Sequence, residues 1–204
     1  VQEILDAHLI SKGLTISEPI ELLSINMKKE IEDEEIPVAT RLGETKNMIR
    51  THIDRQLILD PTFYGKISRK VEDILKNVNT GTTLQLEELK KVIEEVKTAE
   101  ETREYSPELP FYDAIIDVVV SNGNNISDIN EQNKIREATK NILGLVKKEM
   151  KKLNFWYDFT QQKKLRSAIT DKLICLNIKE LNNHTQQLSY EILDLAKRRR
   201  DYLG

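Results

Sequence analysis

Cysteine occurs once in the 204 residues, as Cys175, so no disulfide can form within the chain. With three histidines in all, no His/Cys cluster has zinc-ligand spacing, and a reducing, cytoplasmic setting is the expected one. Glycine and proline are also scarce, seven and five. Because these two residues break regular structure, their scarcity predicts long uninterrupted elements and excludes a sandwich or small barrel built of short strands and tight turns. No run approaches the roughly eighteen apolar residues that a membrane span requires; the longest candidate, around Ala114 to Val120 and interrupted by Asp117, is far too short. Charge of one sign is missing too. The 31 basic and 34 acidic side chains leave a formal charge of -3, which excludes a chain that coats nucleic acid over its whole surface. The sequence starts at Val1 with no basic segment leading into an apolar one, and reads as a piece of a longer cytoplasmic protein.

What is present is helical periodicity. Ser17-Glu18-Pro19 offers a cap, and Ile20, Leu23, Met27 and Ile31 follow at spacings of three and four. The stripe resumes after Pro37 through Val38, Leu42, Ile49, Ile53 and Leu57. Asp60-Pro61 then caps a helix carrying Tyr64, Ile67, Val71, Ile74 and Val78, since proline at the first helical position gives up only a donor that had no partner. Gly81 ends it. Thr82 and Gln85 have the form of a capping box before Leu86, Leu89, Ile93 and Val96. Ser106-Pro107 opens a helix with Phe111, Ile115 and Val118 inward, and the cluster at residues 121–125 is its exit. Beyond it come a long helix (Ile135, Ala138, Ile142, Leu145, Leu153), one capped by Thr160 (Leu165, Ile169, Leu173, Leu176), and a last with Leu188, Ile192 and Leu195. No solenoid repeat and no strand alternation is found. The fold class expected is all-α, an irregular bundle of about seven or eight helices. It forms either one continuous domain or two lobes, residues 1–121 and 126–204.

Catalytic signals are thin. The lone Gly65-Lys66 pair lies inside a predicted helix and makes no phosphate cradle. Glu88-Leu89-Lys90 and Glu95-Val96-Lys97 have a form found in nuclease sites, but that form needs a strand. On a helix the two charged positions diverge by about 200 degrees. His8, His52 and His184 have no carboxylate pair and nucleophile within helical reach. Cys175, between Leu173 and Leu176, is expected to be buried. Trp156, beside Phe155 and Tyr157, reads as a packing anchor, with stacking on a base as the functional alternative. No catalytic, cofactor or metal residue is assigned.

Charge distribution says more. Up to Pro110 the chain has 15 basic and 22 acidic residues; beyond it, 16 and 12. Between Lys134 and Arg166 ten cations face three acids. The residues expected to touch a DNA backbone are Lys147, Lys148, Lys151, Lys152, Lys163, Lys164 and Arg166, with Arg198, Arg199 and Arg200 at the end of the last helix. Spacings of four place Lys147 with Lys151, and Lys148 with Lys152, on a common polar side. The plainer reading is a solvated face, and for Arg198 to Arg200 favourable charge at the negative end of a helix.

Three ordered blocks carry a family resemblance. Ile49-Arg50-Thr51-His52-Ile53, Asp60-Pro61-Thr62-Phe63-Tyr64 and Ile67-Ser68 to Leu75 make the first; Ser106-Pro107-Glu108 with Phe111-Tyr112-Asp113 make the second. Asp158-Phe159, Leu165-Arg166 and Ile169 make the third. Together they resemble the region near the carboxyl end of the R subunits of type I restriction enzymes. The chain departs from that pattern at Arg69, where the family has an acid, and at Phe159, where it favours tryptophan. The resemblance implies a helical, non-catalytic carboxyl-terminal domain of a DNA-translocating endonuclease whose ATP- and Mg²⁺-dependent motor and nuclease parts lie upstream. It also implies docking onto the modification and specificity subunits, the methyltransferase core, near the translocated double-stranded DNA.

Overall fold

The computed structural model describes residues 31–77, 81–104, 106–123, 126 and 128–203. It is all-α: among the described residues there are eight α-helices and no strand. They are α1 (Val38–Gln56), α2 (Pro61–Lys76), α3 (Gly81–Glu104), α4 (Leu109–Ser121), α5 (Ile129–Met150), α6 (Phe159–Ile174), α7 (Thr185–Arg198) and α8 (Arg200–Leu203). Two 3₁₀ turns, Phe155–Tyr157 and Lys179–Leu181, lie between α5, α6 and α7. Among the described residues no helix is long and apolar enough to cross a membrane. The expected first stripe at Ile20, Leu23 and Met27, together with His8 and Val78, lies outside the described residues.

Packing divides the chain into two units, one of residues up to His52 with Lys70–Lys97, the other of Ile53–Arg69 with Thr98–Gly204. This is a different line from the one expected at 121 and 126. Phe111, Ile115 and Val119 of α4 share one core with residues of 135–203, on the other side of the expected line. At Gly123, φ 96, the chain leaves α4 through a left-handed conformation that a side chain disfavours.

The first unit buries Ile31, Ile49, Val71, Leu86, Leu89, Val92, Ile93 and Val96. On α3 these include the predicted stripe, with Val92 added on the same face. Gln85 corrects the capping-box expectation. Its Nε2 donates to the carbonyls of Ile74, Leu75 and Asn77 at 3.0, 3.3 and 3.3 Å, so it closes the carboxyl end of α2 instead of the start of its own helix.

In the second unit α6 packs on α5 and α7, and α4 on α5 and α7. The faces that meet are regular: Ile135, Thr139, Ile142 and Val146 on α5; Leu165, Ile169 and Leu173 on α6; Leu188, Ile192 and Leu195 on α7. Thr139 is tolerated in this core because its Oγ1 donates to the Ile135 carbonyl at 2.8 Å. Several local expectations shift. Helix α4 begins at Leu109, past Ser106-Pro107, and buries Val119 in place of Val118. Asp158, not Thr160, caps α6, accepting from the Thr160 and Gln161 amides at 2.9 and 3.0 Å. Cys175 is exposed at the end of α6, and Leu153 lies beyond α5, in solvent. Both positions follow from the helices ending earlier than the apolar spacing suggested.

Candidate functional site

Within the second unit, Asp60 and Phe63 of the first sequence block and Asp113 of the second meet at Arg103. The Asp60 Oδ1 accepts the Phe63 amide at 3.1 Å, capping α2 as its Asp-Pro sequence predicts. Its Oδ2 lies 3.3 Å from Arg103 Nη1. The other arm of the guanidinium, Nη2, reaches Asp113 Oδ2 on α4 at 2.5 Å, and the cation lies 4.2 Å over the Phe63 ring. Tyr64 donates its hydroxyl to Glu100. Arg199 reaches in from the end of α7 and donates to the Leu59 carbonyl at 3.0 Å.

The cluster is buried at its centre, where Asp60 is 2% exposed and Arg199 8%, while the side chains of Arg103 and Asp113 are only partly covered. Burial raises the Asp60 pKa above its ordinary 3.8, and Asp113 adds to the rise, while Arg103, the Phe63 amide and Arg199 oppose it. Burial also lowers Arg199, which nonetheless stays charged, and raises Tyr64, with the hydrogen bond to Glu100 acting in the same direction. Two cations against two carboxylates on four chain segments can cross-link helices. Arg199, expected among DNA contacts, is therefore an interior residue.

The other nine expected contacts are distributed over three places. Lys147 is half-buried in the last turn of α5, and Lys148, Lys151 and Lys152 are exposed. Helix α5 stops at Met150, so Lys151 is its cap and Lys152, 2.5 Å from Glu149, has left the helical face it was expected to share with Lys148. Lys163 and Lys164 are exposed on α6. Arg198 pairs with Asp194 at 2.9 Å, and Arg200 lies 3.6 Å from Asp201.

Arg166 has the most developed surroundings. Its guanidinium stacks 4.1 Å over the Tyr190 ring of α7. With Lys163, Ser167, Thr170 and Gln186 the pair lines an open groove of about 300 Å³ between α6 and α7. Asp171 and Ser189 complete the lining, so two cations stand against one carboxylate, with three hydroxyls, an amide and an aromatic face. The net positive charge and the ring suit a phosphodiester with its base or sugar alongside, held on the Lys163 and Arg166 side. Tyr190, Thr170 and Gln186 carry no sequence signal of this role; only the packing of α6 on α7 brings them to Arg166.

The turn between α5 and α6 forms a third feature. Asn154, at φ 60, occupies the left-handed region that asparagine tolerates. Phe155 is buried, with Trp156 edge-on to it at 5.0 Å and packed on the core, which makes Trp156 a packing anchor. Asp158 has its pKa lowered, first by the Gln161 amide it accepts. Around these fixed points Leu153, Tyr157 and Phe159 are 89, 85 and 83% exposed.

Elsewhere His184 hydrogen-bonds Asn122 at 3.1 Å, and the two Glu-x-Lys segments lie on α3, where Lys90 pairs with Glu87 at 2.8 Å and Glu95 with Lys70. Among the described residues no group of three or more His, Cys, Asp or Glu could hold a metal ion. Comparison of the chain with protein-family models, with curated proteins and with solved structures returned no match.

Proposed function

We propose that this chain is the non-catalytic carboxyl-terminal assembly domain of a type I restriction enzyme R subunit, docking the ATP-dependent translocase and endonuclease onto the methyltransferase core. The observation that supports it is the convergence at Arg103. Asp60 and Phe63 come from one block of the resemblance and Asp113 from another, and one guanidinium engages all three. The third block has equally definite structural roles: Asp158 caps α6, Leu165 and Ile169 face the core, and Arg166 stacks on Tyr190. Blocks that act as a packing signature fit a domain recognised by its fold. On this reading the chain binds no ATP or Mg²⁺ itself, works in the cytoplasm, and leaves chemistry to the upstream parts of its own subunit.

The test is deletion in the parent protein. An R subunit lacking residues 31–203 is expected to retain DNA-stimulated ATP hydrolysis and to lose co-purification with the methyltransferase; normal stoichiometry in the truncated complex rejects the reading. The groove at Arg166 favours a second role, contact with the backbone of DNA held near the docked complex.

A further inference from the structure

We infer that the turn between α5 and α6 is the docking element itself. Leu153, Tyr157 and Phe159 enter an apolar hollow fringed with carboxylates on the methyltransferase core, an inference that rests on the assembly reading above. Three large apolar side chains, each more than four-fifths exposed within seven residues, are far from the scattered single exposures of an ordinary surface. Aromatic side chains entering a partner's pocket are also the typical anchors of protein interfaces.

The turn is built to hold them out. Phe155 is buried beneath it, Trp156 packs on the core, and Asp158 accepts two amides of α6. Side chains presented from so fixed a backbone lose little freedom on binding.

The charges around the turn select the occupant. Lys152 is paired with Glu149, and the Asp158 carboxylate is engaged by the amides of α6. This leaves Lys151 before the turn and Lys163 and Lys164 in the first turns of α6 as the net charge around it, so the complementary surface is acidic. A second copy would bring the same lysines against themselves. Single-stranded nucleic acid needs a row of ring faces, whereas Leu153 has none and Phe155 is turned into the core. A lipid surface is met by the long apolar face of an amphipathic helix, and those of α5 and α6 are used up inside the second unit.

The experiment titrates the intact R subunit, wild type and L153S/Y157S/F159S, into its methyltransferase core. Unchanged circular-dichroism melting serves as the check on folding. The triple variant is expected to bind on the order of tenfold or more weakly. Leu153→Ser alone, in a residue 89% exposed, is expected to weaken binding about threefold and keeps the test decisive should the triple variant misfold. Wild-type affinity in a folded triple variant overturns the docking element and leaves the assembly reading standing. Failure of the wild-type subunit to bind the core overturns both. Dependence on these three residues of binding to poly-dT or to anionic vesicles, with none for the methyltransferase, also overturns it.

Discussion

Asp60 performs two tasks with one carboxylate, and they respond to different substitutions. One oxygen caps α2 through the Phe63 amide; the other faces Arg103. Asparagine keeps the capping acceptor and alanine does not, so Asp60→Ala is expected to be about 1–2 kcal/mol less stable than Asp60→Asn in urea denaturation. The pH dependence has a definite sign. A carboxyl whose folded pKa is raised above the unfolded 3.8 keeps its proton longer in the folded state. Wild-type stability relative to Asp60→Asn is therefore highest below 3.8 and falls as pH rises through the folded value. Denaturation of both proteins from pH 4 to 8 checks this; a difference independent of pH, or growing with it, rejects the raised value. The cap was legible in the sequence because Asp-Pro acts within one turn. The partnership with Arg199 was not, since its contact at Leu59 joins residues 140 apart, and three consecutive basic residues look alike until the fold turns one of them inward.

At the scale of helices, the apolar stripes were readable and the ends were not. Leu86, Leu89, Ile93 and Val96, and likewise Leu165, Ile169 and Leu173, are buried as their spacing of three and four requires. Ends depend on which polar group reaches which orphan amide or carbonyl, and several residues compete for each. Thr160 is the cap expected for α6, yet the carboxylate two residues earlier accepts the amides. Gln85 points back at the preceding helix because it is buried beside three carbonyls left over at the end of α2. Its replacement by alanine leaves those carbonyls without that donor and is expected to cost about 1–2 kcal/mol. Hydrogen exchange at the carboxyl end of α2 should quicken with it, whereas a capping-box role predicts faster exchange at the start of α3.

For the whole molecule, the formal charge of -3 hides an acidic first half and a basic second half. The structure separates the cations of that basic half further. Arg199 is interior, Lys152 and Arg198 have acidic neighbours, and Lys163 with Arg166 line the groove between α6 and α7. If duplex DNA lies in that groove, K163E/R166E should weaken binding on every sequence and reduce the slope of log affinity against log salt by about 2. An unchanged slope in a fluorescence-anisotropy titration confines these residues to a solvated face.

By itself the sequence determined the all-α class, the buried faces and the cap at Asp60, because breakers, apolar period and an Asp-Pro pair act over a few residues. Only the tertiary structure decided that α4 joins the core of the following helices, that Asp60 and Asp113 share Arg103, and that Leu153, Tyr157 and Phe159 face solvent. Each of those outcomes is a choice among segments distant in the chain, made by which apolar faces fit together and which charges must be matched once water is excluded.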